Sequence, residues 1–173
     1  MINVAFVGAL YIPKGLLYLY DMINDKDLPV NWHLIGWITH QFRKELSNNA
    51  YSHNGYHSLL ELYDVLDYHD IDLVIMPGEC PESFSYVLSE IWNYGLPVLV
   101  SDRGALQTRM EECNEQNGWI CDPRYMGDKL IYLNEHFDEV IEKQNNLLTY
   151  KVKTVEEMCN DYRSLYNKYL FID

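Results

Sequence analysis

This chain has little that would tie it to a membrane or to a nucleic acid. Its 173 residues contain no apolar run of the roughly eighteen needed to cross a bilayer as a helix. Positive charge is scarce: 13 Lys and Arg against 26 Asp and Glu leave a formal net charge of −13. Without a basic surplus the chain cannot displace counterions from nucleic-acid phosphates, and it has no pull on anionic headgroups. No nucleic-acid partner and no transmembrane segment are expected. Cysteines are few, and Cys80, Cys113, Cys121 and Cys159 form no C-x-x-C pair and no zinc-like spacing with His. Such scatter fits free thiols in a reducing compartment. Residues 1–7 lack a charged leader and a cleavage site, so a signal peptide is not expected and a cytoplasmic location is. Glycine signatures of nucleotide loops are missing as well. Lys14 precedes Gly15 and no G-K-[ST] follows, and no G-x-G-x-x-G occurs.

What remains is a globular composition, 48% apolar and 23% charged. The length suits one domain, residues 1–173, with no repeat and no convincing linker. The six histidines are scattered, and the fifteen tyrosines spread along the whole chain as packing residues with a polar tip.

Short apolar runs alternate with amphipathic stretches. Residues 3–7, 32–37, 50–53, 71–76, 97–100 and 119–121 read as strands. The Asn54-Gly55 pair marks a turn after the third. Leu16, Leu19, Tyr20 and Ile23 fall at helical spacing behind Pro13, as do Leu59, Leu62, Tyr63 and Leu66. Helices are expected over 84–94 and 105–112. Residues 39–49 stay ambiguous. The tail after Tyr125 reads as helix with a break at 149–154, and Tyr162, Leu165, Tyr166, Tyr169 and Leu170 read as core or as an interface stripe, core being favoured. Strands alternating with helices predict an α/β fold, a Rossmann-like parallel sheet flanked by helices. Ligands of such sheets bind beyond the carboxyl ends of the strands, which points to residues 8–14, 77–85 and 101–104.

Residues 77–90, PGECPESFSYVLSE, lie where a strand gives way to a helix. Ser83 is the expected N-cap. Phe84, Val87, Leu88, Ile91 and Trp92 form an apolar face. The free amides at Phe84, Ser85 and Tyr86, with the helix dipole, make an anion site suited to phosphate. Glu90 lies at the border of the apolar stripe, with Tyr86 and Tyr94 at i−4 and i+4. Two carboxylates, Glu82 and Glu90, bracket the helix start. They can grip a ligand with hydroxyls at both ends and phosphates between, as a nucleotide-sugar has. From the residues alone a second reading stands beside it: an acid near a helix start is favourable for dipole reasons, and Glu90 can be a solvated helix residue.

The segment resembles the E-x7-E motif of family-4 retaining glycosyltransferases, which pair two Rossmann-like domains in the GT-B architecture. The nearer likeness is to bacterial members reading P-E-x-[FY]-S-Y-x-L-S-E, matched here from Pro81 to Glu90. Gly95 to Ala105 resembles the family's G-x-P-V-[VI]-[AV]-[ST]-x-x-G-[GA]. Residues 117–123, NGWICDP, resemble N-G-x-L-x-x-P, and Phe6 to Gly15 resembles the opening F-x-G-R-L-x-x-x-K-G. Two positions depart from the pattern: Ala9 stands where Arg is common, and Thr108 where a Glu is expected.

The four blocks, covering about residues 3–123, describe the C-terminal, donor-binding half of a GT-B enzyme. The resemblance implies that Glu90 binds the ribose and that Glu82 faces the donor sugar as the catalytic-side carboxylate. It also implies that Ser83, Phe84 and Ser85 amides hold the diphosphate with Lys14, and that Gly8 and Gly104 shape the donor loops. It implies retaining transfer from a nucleotide-diphosphate sugar, with no cofactor and no metal, in bacterial polysaccharide or lipopolysaccharide assembly. The expected partner is an N-terminal acceptor-binding domain, in a longer chain or a separate subunit, which could place the protein against the inner membrane. The lone chain is then expected to transfer little. The other readings are a non-catalytic nucleotide-sugar module, a signalling receiver, which would need an acidic cluster that Gly8-Ala9-Leu10 does not offer, and a two-domain nucleotide-sugar epimerase.

Overall fold

A computed structural model describes residues 1–46, 49–53, 55 and 58–170. Its described strands are β1 (Ile2–Val7), β2 (Val30–Ile35), β3 (Ala50–His53), β4 (Leu73–Met76), β5 (Val98–Ser101) and β6 (Gly118–Cys121). All pair in parallel in the order β3-β2-β1-β4-β5-β6. This is the Rossmann order, which reverses direction between β1 and β4. The helices are α1 (Leu16–Asn24), α2 (His40–Leu46), α3 (Leu59–Tyr68), α4 (Tyr86–Tyr94), α5 (Gly104–Glu112), α6 (Met126–Glu135), α7 (Phe137–Leu147) and α8 (Val155–Leu170).

Both faces of the sheet are buried, as a parallel sheet requires. Val4 and Phe6 point into one apolar layer with Leu16, Leu19 and Leu130. Ala5 and Val7 point into the other with Leu88, Ile91 and Leu106. The alternation along β1 follows from the two-residue period of a strand. β4 is buried at every position, so LVIM reads as one continuous apolar run.

Several expected boundaries move. β2 stops at Ile35, two residues short of Trp37, because Gly36 turns the chain at φ +140°. A side chain there would have its Cβ 2.0 Å from the Gly8 carbonyl oxygen. Trp37 is exposed instead. The ambiguous stretch 39–49 contains α2. Asn54 of the expected turn pair lies outside the described residues. The break at 149–154 separates α7 from α8 as expected. The tail stripe is a correction: α8 has no buried residue, and Tyr162, Leu165, Tyr166, Tyr169 and Leu170 are all exposed. The helix leaves the domain surface after Tyr150 and Val152, which pack on the core. Its stripe is not intradomain core.

Candidate functional site

The carboxyl ends of β1 and β4 flank the switch point, and the chain builds a cleft there. After β1 the Gly8 amide still bonds the Ile35 carbonyl at 2.9 Å. Ile12–Lys14 then forms one turn of 3-10 helix with Pro13 at its start, where a missing N–H costs nothing. Gly15 closes that turn at φ +87°. A Cβ at Gly15 would lie 2.2 Å from the Pro77 carbonyl oxygen, so only glycine lets the two loops meet.

The loop of residues 77–85 is held from three sides. Glu79 and Cys80 amides donate to the Pro13 carbonyl at 3.0 and 3.2 Å. The Ala105 amide, in the first turn of α5, donates to the Glu82 carbonyl at 3.0 Å. Arg109, one turn further along α5, donates to the Phe84 and Ser85 carbonyls at 3.0 and 2.8 Å and to Ser89 Oγ at 2.8 Å. Its guanidinium also lies over the Phe84 ring at 4.4 Å. Burial pulls the Arg109 pKa below its usual value.

These anchors correct the helix start. α4 begins at Tyr86, two residues later than expected, and Ser83 does not cap it. Ser85 is the N-cap, at φ 64° and ψ 89°, with no side-chain cap bond. Arg109 thus binds the carbonyls on both sides of Ser85, at the point where the helix starts. The first-turn amides are therefore Tyr86, Val87 and Leu88, and Phe84 is exposed outside the helix, not part of its apolar face.

Of the expected site residues, Gly8, Lys14, Glu82 and Ser85 come together, lining one cleft of about 60 Å³. Lys14 Nζ donates to Glu82 Oε1 inside it. Ser83 and Phe84 line a neighbouring cavity of about 360 Å³ with Glu82, Thr108, Arg109 and Glu112. Gly104 lines neither. It sits beneath the loop at φ +55°, and a Cβ there would meet Pro81 Cβ at 2.8 Å. Glu90 is half-buried on α4 and lines neither cavity; its backbone carbonyl accepts from Tyr63 Oη at 3.4 Å. Tyr94 does not serve Glu90, because its hydroxyl donates to Asp67. Thr108, where the motif would have Glu, bonds back to the Gly104 carbonyl at 3.2 Å. Arg109 was not singled out from the sequence: between Leu106 and Met110 it reads as an ordinary helix cation, and only the fold shows what it holds.

Residues 2–136 match the family described as glycosyl transferases group 1. The chain belongs to the group 1 glycosyltransferases. No curated protein matches it in sequence. Among solved structures it is similar to HepE of Anabaena, solved in complex with UDP, at TM-score 0.70 and 18% identity over 95% of this chain and 49% of that one. It is similar to a glycosyltransferase of Rickettsia africae at TM-score 0.74 and 15% identity, over 100% of this chain and 49% of that one. The C-terminal domain of the group 1 protein LpcC from Francisella tularensis matches at TM-score 0.67 and 17% identity, over 88% and 87% of the two chains. At these identities the likeness is one of fold. The sheet and its helices match the Rossmann-like GT-B fold, and the chain spans about half the length of the HepE and Rickettsia proteins.

Two D-x-D spacings occur in the chain, Asp25-Lys26-Asp27 and Asp70-Ile71-Asp72. Each precedes a strand, β2 or β4, and so lies at the amino end of the sheet, away from the cleft. Among the described residues no group of three or more His, Cys, Asp or Glu could hold a metal ion, and no helix is long and apolar enough to cross a membrane.

Proposed function

We propose that this chain, residues 1–173, is the donor-binding domain of a retaining family-4 glycosyltransferase. The observation that carries the reading is the convergence of Lys14, Glu82 and the Ser85 turn at the β1–β4 switch point. A cation and free helix-start amides suit a diphosphate, and a carboxylate beside them suits sugar hydroxyls. HepE, similar in fold, was solved with UDP and with UDP-glucose, which favours a nucleotide-sugar for this cleft too.

In this reading the bond between the anomeric carbon and the diphosphate breaks as the acceptor attacks the same face. Positive charge grows on the sugar ring and negative charge on the leaving diphosphate. Lys14 and the amides at Ser85 and Tyr86 offset the second, and such preorganised donors are worth about 3 kcal/mol each in the transition state. Glu82 orients the sugar and offsets the first. Glu90 binds the ribose hydroxyls. The site is completed by an acceptor-binding domain not contained in these residues, and the chemistry needs no metal. A bacterial polysaccharide or lipopolysaccharide is the proposed product class.

The test is transfer by the complete enzyme, this chain with its acceptor domain, from UDP-, GDP- and dTDP-sugars in the presence of a chelator. Expected are turnover with one donor, a product of unchanged anomeric configuration by NMR, and loss of turnover in Glu82→Ala. Inverted product or chelator-sensitive turnover contradicts the mechanism. The half-length coverage favours one second reading, a nucleotide-sugar-binding subunit without catalysis. It predicts that Glu82→Ala leaves any transfer by the assembly unchanged.

A further inference from the structure

Arg109 touches two consecutive carbonyls, Phe84 and Ser85, with the same terminal nitrogen. Its second terminal nitrogen reaches Ser89 Oγ in the first turn of α4. In a trans peptide unit the N–H points opposite to the C=O. The unit with the Phe84 carbonyl carries the Ser85 N–H, and the unit with the Ser85 carbonyl carries the Tyr86 N–H. Both carbonyls face Arg109, so both amides face away from it. Neither amide has a partner among the described residues. Two successive amides aimed one way form an anion-binding nest.

The two sides of this turn are different spaces. Arg109 lines the cavity with Ser83, Phe84 and Glu112. Ser85 lines the other, with Lys14 and Gly8. Arg109 thus lines only the second cavity and Lys14 only the first, with Glu82 shared between them. The turn is strained, because Ser85 holds a φ of 64° that a serine rarely adopts. Such strain costs about 1–3 kcal/mol and persists only where the surroundings enforce it. Arg109 supplies the enforcement. It has three acceptors in a planar fork, and its guanidinium is clamped over the rings of Phe84 at 4.4 Å and Trp92 at 5.2 Å.

We propose that Arg109 is a positioning residue that aims the Ser85 and Tyr86 amides into the Lys14 cleft, so that the nest receives the donor diphosphate from a fixed geometry. The inference rests on the nucleotide-sugar reading of that cleft. Arg109 touches no part of the ligand. It acts through the backbone, which sets it apart from Lys14.

The test compares binding of UDP, GDP and dTDP with binding of uridine, guanosine and thymidine by isothermal titration. The chains are the wild type, Arg109→Ala and Arg109→Lys. The readout is the ratio of nucleoside to diphosphate Kd, which isolates what the diphosphate adds. In Arg109→Ala that ratio falls at least about tenfold, the scale of a charge-assisted hydrogen bond, while nucleoside affinity holds. Methylguanidinium added to Arg109→Ala restores part of the ratio. Arg109→Lys keeps the charge but cannot span three acceptors, and it gives an intermediate ratio. It carries the test if Arg109→Ala fails to fold by circular dichroism. An unchanged ratio in a folded variant overturns the inference, as does a parallel loss of nucleoside and diphosphate affinity. A wild type that binds no diphosphate more tightly than its nucleoside instead overturns the reading of the cleft, and the inference with it.

Discussion

Lys14 donates to the Glu82 carboxylate across the gap between the ends of β1 and β4. The cation proposed for the diphosphate is thus held by the acid proposed for the sugar. Both side chains are partly open to solvent, at 34% and 21% exposure, so the pair is worth no more than about 1 kcal/mol. It is weak enough for a ligand to part. The cleft it spans, about 60 Å³, is well below the size of a small-molecule pocket.

Releasing Lys14 is expected to separate binding from chemistry. Glu82→Gln should hold or tighten the binding of a bare nucleoside diphosphate by a factor of about two to five, because the competing acid is gone. Transfer by the complete enzyme should fall at least about a hundredfold, as the sugar loses its carboxylate. Lys14→Ala should do the opposite to binding, weakening the diphosphate about tenfold. Calorimetry on each variant, beside a transfer assay, checks both arms.

Close backbone approach makes Gly15 irreplaceable. In Gly15→Ala the new methyl meets the Pro77 carbonyl, and φ +87° disfavours any side chain. Unfolding in urea should show a loss of about 2–4 kcal/mol, and the surviving folded fraction should bind nucleotide poorly. Gly104→Ala should cost about 2 kcal/mol or more, since its Cβ would meet the Pro81 Cα at 2.9 Å and the Glu82 amide nitrogen at 3.0 Å, backbone atoms that must shift, although φ +55° is nearer the left-handed well than +87°.

Acid should weaken the fold through His33. The imidazole is buried between Tyr51 and His69. Burial, and then the nearby His69, lower its pKa to about 4 from 6.5. The unfolded chain thus binds a proton that the folded chain refuses. Stability from this group is intact above pH 6.5 and is lost as pH falls toward 4, by up to about 3 kcal/mol. Urea midpoints measured from pH 7.5 to 4 should drop, and His33→Phe should flatten that part of the profile. An equal drop in His33→Phe assigns the loss to other groups.

Because α8 buries nothing in this domain, it should add little to its stability. A chain ending at Thr154, after Tyr150 and Val152 have packed, should melt within about 2 °C of the full chain. A fall of 8 °C or more would show that the helix does pack on the domain.

The fold was legible because its signals are local. Four-residue buried runs such as 73–76, and the helical spacing of Leu59, Leu62, Tyr63 and Leu66, need no partner to be read. Boundaries set by another segment were not legible. β2 ends because the Gly8 backbone lies against Gly36, and α4 starts late because the backbone turns at Ser85, φ 64°, where Arg109 from α5 binds the carbonyls on both sides. The tail misled for a related reason. An apolar stripe at helical spacing says that a face will be covered, not what will cover it. In the site, Glu82 and Lys14 stood out by chemistry and motif. Arg109 did not, since its role is exerted on backbone atoms, which leave no mark in side-chain patterns.

The most direct test is a crystal structure of the chain grown with UDP, GDP or dTDP, whichever calorimetry shows to bind. The account predicts phosphate oxygens within hydrogen-bond reach of the Ser85 and Tyr86 amides, Lys14 turned from Glu82 toward them, and the ribose on Glu90. A nucleotide seated elsewhere, or one in the cleft with Lys14 still on Glu82 and Glu90 far from the ribose, would contradict it.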